Sequence, residues 1–99
     1  MSDEVFSIAI YEPLPGMEEK SQATIRELMG ILSKGGYSRD HLYHSAPSQY
    51  ILLRHWTSED ARRNAQEDPD AQRCWARLAH EIKIIKIYET LEEVQWQHL

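Results

Sequence analysis

The sequence predicts one α+β domain of the ferredoxin-like kind. Its elements run β-α-β-β-α-β, giving a four-stranded antiparallel sheet with the helical segments on one face. Three observations predict it. Short β-branched, aromatic segments alternate with longer segments whose apolar residues recur at three and four. Two of the strand-like segments are joined by only Ala46-Pro47-Ser48, a hairpin spacing. The 99 residues contain no repeat, low-complexity segment or linker that would divide them.

Taken in order, Val5 to Tyr11 reads as the first strand, closed by Pro13-Leu14-Pro15-Gly16. From Met17 to Lys34, Ile25, Leu28, Met29 and Leu32 form one stripe of an amphipathic helix. Glu18 and Glu19 favour its positive end, and Gly35-Gly36 suit a left-handed cap. Tyr37 to Ser45 is a weaker strand, and Gln49 to Trp56 the clearest strand of the chain. Thr57-Ser58-Glu59-Asp60 opens a short helix to about Gln66, with a hydroxyl cap and acids in its first turn. Asp68 caps the next helix and Pro69 fits its first position. There Ala71, Cys74, Trp75, Leu78, Ala79 and Ile82 make an apolar stripe. Lys83 to Leu91 is the last strand, and the tail 92–99 keeps Val94 and Trp96.

The strands do not alternate cleanly. Phe6, Ile8 and Ile10 oppose Val5 and Ala9, Ile51 and Leu53 oppose Tyr50, Leu52 and Trp56, and Ile85, Ile87 and Leu91 oppose Ile84 and Tyr88. Helices cover one side only, so the other exposes a contiguous apolar patch. Burial against the same face of a second copy about a two-fold axis is the expected solution, a homodimer through the sheet face. A monomer lidded by the tail around Trp96 is the alternative.

Composition excludes several classes. Apolar residues are 41% and charged residues 27%, an ordinary globular balance. No run of ~18 apolar residues predicts a membrane-spanning helix. The acidic start Met1-Ser2-Asp3-Glu4 lacks the pattern of a secretory signal, and Cys74 is the single cysteine, so a reducing cytoplasm is expected. A net charge of −5, spread along the chain, argues against nucleic-acid binding.

The strand ending in Trp56, the following Thr57-Ser58-Glu59-Asp60-Ala61, Pro15-Gly16 after the first strand, and Asp68-Pro69 before the helix holding Trp75 carry a resemblance. The chain resembles the antibiotic-biosynthesis-monooxygenase-like proteins of the dimeric α/β-barrel superfamily, across about residues 5–94. The resemblance implies a dimeric barrel, a pocket between sheet and helices bordered by Trp56, and oxygenase chemistry without a cofactor. Haem-degrading members carry a histidine after that tryptophan, where this chain has Arg62-Arg63-Asn64-Ala65-Gln66. They also carry an asparagine at the end of the first strand, where it has Ile10-Tyr11-Glu12. Both departures from the haem-degrading pattern argue against haem degradation, and no cofactor is expected.

Trp56, Arg54 and Tyr50 share a strand face. They make an aromatic floor with a cation suited to a phenolate or carboxylate, and a positive charge stabilises the anion a cofactor-free oxygenase must form. Trp56 and Arg54 are the candidate ligand-binding residues, and Tyr50 and His44 the candidate catalytic proton handlers. Core packing of Trp56 and Tyr50, with Arg54 paired to an acid, is the structural alternative. His41 and His44 point to opposite faces, His55 lies opposite Trp56, and His80 and His98 stand apart, so no metal site is expected. Tyr11, Tyr43 and Tyr88 are further phenol donors, Cys74 reads as a buried inert thiol, and Arg62, Arg63, Arg73 and Arg77 as a solvated helix face. The functional expectation is a monooxygenase-like enzyme acting on an aromatic or polyketide-like small molecule, and its rival a non-catalytic small-molecule-binding protein of the same fold.

Overall fold

A computed structural model describes residues 5–45 and 47–91. The elements are β1 (Val5–Pro13), α1 (Glu18–Lys34), β2 (Ser38–Ser45), β3 (Gln49–Trp56), α2 (Glu59–Gln66), α3 (Pro69–Leu78) and β4 (Ile82–Leu91). All strand pairs are antiparallel, in the order β2-β3-β1-β4. The β-α-β-β-α-α-β order is the ferredoxin-like arrangement with the second helical segment broken in two. The tail 92–99, with Val94 and Trp96, lies outside the described residues, as does Ala46 of the expected turn.

The helix breaks and starts follow from local chemistry. Gly36 takes a φ of +72° after α1, a left-handed conformation that glycine adopts without a Cβ clash. The Ser58 hydroxyl accepts from the Ala61 amide at 2.9 Å and starts α2. One residue run later, the Asp68 carboxylate accepts from the amides of Asp70 and Ala71, and Pro69 opens α3. Tyr37 donates its phenol to the other Asp68 oxygen at 3.1 Å, tying the loop before β2 to this cap.

The sheet register sorts the side chains. Val5, Ser7, Ala9 and Tyr11 lie opposite Trp56, Arg54, Leu52 and Tyr50. These residues share the helix-facing side, where Tyr11, Tyr50 and Trp56 join Ile25, Leu28, Leu32, Ala65, Ala71, Cys74 and Leu78 in the core. Ser21 and Thr24 are also buried in α1, and their hydroxyls donate to the carbonyls of Glu18 and Lys20. The other side carries Phe6, Ile8, Ile10, Ile51 and Leu53, half-buried, with Tyr43 and Tyr88 exposed, and none of them joins the core.

β4 departs from strict alternation. Its pairing with β1 shifts register between Ile10 and Tyr11 and again between Phe6 and Ile8, each time with an extra residue in β4. Ile84 opposite Tyr11 and Ile87 opposite Ala9 therefore share the helix-facing side, while Tyr88 and Leu91 take the other. The expected grouping of Ile84 with Tyr88, and of Ile87 with Leu91, is corrected by these bulges. Ile82 starts this strand and does not continue the α3 stripe, since α3 ends at Leu78. No helix among the described residues is long and apolar enough to cross a membrane.

Candidate functional site

The helices leave one end of their side of the sheet uncovered. There the strand floor, α2, α3 and β4 enclose two adjoining chambers. The first, about 350 Å³, is bounded by Ser7, Arg54, Trp56, Arg62, Gln66 and Glu89 among others, and is the more polar. The second, about 370 Å³, runs deeper beneath α1 and α3 and is bounded by Tyr11, Ile25, Leu28, Leu78, Ile82 and Ile84 among others. Ala9, Leu52, Arg54, Trp75 and Ile87 line both. Each volume is at the lower end of small-molecule pockets, ~300–1,000 Å³.

The strand alternation that predicts a shared face for Tyr50, Arg54 and Trp56 holds, and all three are buried on it. Their environments differ. Arg54 is clamped by Asp40 of β2. Its Nε lies 3.0 Å from each carboxylate oxygen and its Nη2 2.8 Å from Oδ2. The Asp40 side chain is only 2% exposed and accepts a further hydrogen bond from Ser38. The guanidinium carbon sits 5.3 Å from the centre of the Trp56 ring, a cation–π approach. The cation is therefore fixed and largely neutralised by a buried partner. Trp56 donates its indole N–H to Ser7 Oγ at 3.1 Å, and Ser7 donates to the Glu89 carbonyl at 2.5 Å. This relay ties β3, β1 and β4 together across the chamber floor.

Tyr50 and His44 are brought together but not to the chambers. Their rings stack 4.7 Å apart, and neither lines either chamber. Tyr50 donates to Glu18 Oε1 and accepts from Gln22 Nε2, both at 2.6 Å, so it anchors the start of α1 to the sheet. The hydrogen bond to Glu18 raises its pKa from the ordinary phenol value. The alternation of β2 and β3 carried these two residues to the helix-facing side, but at its hairpin end, where the start of α1 covers Tyr50 and leaves His44 exposed, away from the chambers.

Sequence reasoning passed over Arg62. It lies on the chamber wall and not on a solvated face, half-buried and paired with Glu59 at 2.6 Å. The signal was its spacing three residues before the buried Ala65, which puts both on one helix face. Arg63, Arg73 and Arg77 are exposed as expected, paired with Asp60, Asp70 and Glu27. Cys74 is fully buried and donates to Glu27, and burial pushes its thiol up to about 11. Tyr11 is buried beside Tyr50, with ring centres 5.4 Å apart, and its hydroxyl has no hydrogen-bond partner. Burial pushes its pKa up to about 12, so it stays protonated. Tyr43 lies exposed on the opposite sheet face, and Tyr88, which also turns there, stands at the chamber rim. His41 and His55 occupy that opposite face, with ring centres 6.2 Å apart. Among the described residues no three His, Cys, Asp or Glu side chains converge to hold a metal ion.

No protein-family model matches the sequence, and no curated protein matches it. Solved structures match its fold. One is SnoaB, a cofactor-independent oxygenase from Streptomyces nogalater, with a TM-score of 0.76 and 16% identity over 94% of this chain and 98% of that one. Two others carry the antibiotic biosynthesis monooxygenase name. The protein from Bacteroides thetaiotaomicron has a TM-score of 0.80 and 9% identity over 93% of this chain and 91% of its own. That from Chloroflexus aurantiacus has a TM-score of 0.75 and 14% identity over 93% and 95%. The chain has the fold of the antibiotic biosynthesis monooxygenases.

Proposed function

We propose that the chain is a cofactor-independent monooxygenase that takes an aromatic, oxygen-bearing small molecule into the chamber walled by Trp56, Arg54 and Arg62. The observation that carries this reading is an open, partly polar chamber placed between sheet and helices, in a fold shared with a cofactor-independent oxygenase. Such an enzyme draws its electrons from the substrate. With an anthrone, a ring methylene loses two hydrogens and gains one oxygen atom of O2 as a carbonyl, and the second oxygen leaves as water. The difficult step is forming the substrate anion. The chamber supplies guanidinium N–H groups at Arg62 and side-chain N–H donors at Gln66 to hold that anion, while Arg54, largely neutralised by Asp40, fixes the Trp56 floor beneath it. The Glu89 carboxylate is the proton acceptor on its rim. Tyr50 and His44 have no proton-transfer role in this reading, because the chambers do not reach them.

Oxygen consumption with anthrone tests the proposal. Wild-type protein is expected to accelerate uptake over buffer. Ala9→Phe, which fills the space both chambers share, is expected to abolish the acceleration while the protein stays folded. No acceleration by wild type ends the oxygenase reading.

One observation favours a second reading, a non-catalytic binding protein. Both chamber arginines are already paired, Arg54 with Asp40 and Arg62 with Glu59, and no histidine lines either chamber. Thermal stabilisation by anthrone without oxygen uptake would select it.

In either reading we propose that two copies pack through the apolar sheet face opposite the chambers.

A further inference from the structure

The deeper chamber differs in kind from the one that receives the reacting group. Of its lining only Tyr11, Arg54 and Trp75 carry polar side-chain atoms, and Trp75 a single indole N–H. The Tyr11 hydroxyl is buried from solvent, and the Arg54 edge is held by Asp40. The remaining surface is aliphatic or aromatic carbon: Ile25 and Leu28 from α1, Leu78 and Ala79 at the end of α3, Ile82 and Ile84 from β4. The β4 bulge turns Ile84 and Ile87 to the same side, and this makes one continuous wall. Ile84 and Ile87 are 46% and 47% exposed, so two isoleucines meet solvent inside a concave site. The two chambers communicate past Trp75 and Ala9.

We propose that the ligand is an amphiphile. Its oxygenated ring occupies the chamber of Trp56 and Arg62, and an alkyl limb attached to the ring lies along Leu78, Ala79, Ile82 and Ile84. This rests on the pocket reading above and adds the class of substituent the molecule selects. Continuity decides the occupant. A free hydrocarbon would leave the polar chamber without a ligand, and a compact bicyclic ring would leave the isoleucine wall wet. A ring with a limb covers both, and each methylene moved from water onto that wall gains in proportion to the apolar area it covers.

The test is a series of 2-alkyl-1,4-naphthoquinones with methyl, butyl and octyl chains, titrated calorimetrically into the full-length protein. With each methylene worth about a two- to fourfold gain, the butyl compound is expected to bind about ten- to fiftyfold tighter than the methyl compound. Ala79→Trp and Ile84→Asp alter only the deeper chamber. Each is expected to bring the butyl-to-methyl ratio close to one and leave the methyl compound's affinity unchanged. Either variant suffices if the other does not fold. A flat series in wild type, or a ratio that survives both substitutions, overturns the limb site while the ring site stands. If the methyl compound itself does not bind, the pocket reading fails and takes the limb site with it.

Discussion

Tyr11 is a polar atom placed where nothing receives it. A buried hydroxyl without a partner costs about 1–3 kcal/mol, so its removal should not weaken the fold. Tyr11→Phe is expected to leave stability at pH 7 unchanged or to raise it by up to about 1 kcal/mol in urea denaturation. Alkali adds a second readout. The folded pKa, about 12, stands above the ordinary 10, so the tyrosine contributes nothing unfavourable below pH 10. Above that, the unfolded chain loses the proton while the folded one holds it, and stability falls from pH 10 toward 12. Cys74 acts in the same direction, between an ordinary thiol value of 9.0 and about 11. Tyr11→Phe should retain more stability than wild type at pH 11 while leaving the Cys74 portion of the loss. A loss of 1 kcal/mol or more at pH 7 would mean that the hydroxyl has a partner. At this scale the sequence was partly legible. Alternation along β3 assigned Arg54 and Trp56 to one face correctly, because side-chain direction in a strand is local. It could not tell that the start of α1 closes over Tyr50 while His44 stays exposed beside it, since that depends on where a helix of distant sequence lies. Nor could it supply Asp40, fourteen residues away, as the partner of Arg54.

That pair is also what joins two elements. β2 is an edge strand, exposed over much of its length, and the Asp40–Arg54 clamp holds it to β3 from the buried side. Asp40→Asn leaves a buried guanidinium without its countercharge and is expected to cost about 3–5 kcal/mol. The double variant Asp40→Leu with Arg54→Met should cost well under the sum of its parts, because the uncompensated charge is gone. Urea denaturation of wild type, Asp40→Asn, the single variants Asp40→Leu and Arg54→Met, and the double variant checks both statements. Additive costs would show that the clamp adds no coupling between the strands. Helix starts were legible because caps are short-range: Ser58 and Asp68-Pro69 act within three residues. The β4 bulges were not, because an inserted residue is visible only against the partner strand. This is why the isoleucine wall was missed while its residues were all counted as strand.

The whole molecule carries one face that its own described residues do not cover. Phe6, Ile8, Ile10, Ile51, Leu53, Tyr43 and Tyr88 share it, and the core does not include them. Soluble proteins rarely leave so many large apolar side chains together in water. A self-packed face also suits a two-fold interface, since one surface must complement itself. The helix layer and both chambers lie on the opposite side, apart from Ile8 and Tyr88, which belong to this face and also bound the polar chamber. Leu53 lines neither chamber, so assembly and ligand binding are separable at that position. Light scattering of the wild-type chain is expected to give about twice the mass of one 11.6 kDa chain. Leu53→Glu puts a charge at the centre of the face and is expected to give single chains. Because Leu53 points away from the chambers, the variant should keep its affinity for the methyl naphthoquinone within about twofold, provided the fold holds. A wild-type mass of one chain would assign the cover to the chain itself, where residues 92–99, including Trp96, are the segment to delete next. A dimer that survives Leu53→Glu would place the interface elsewhere. A dimer that dissociates and loses the ligand would mean that the two faces are coupled through the sheet they share.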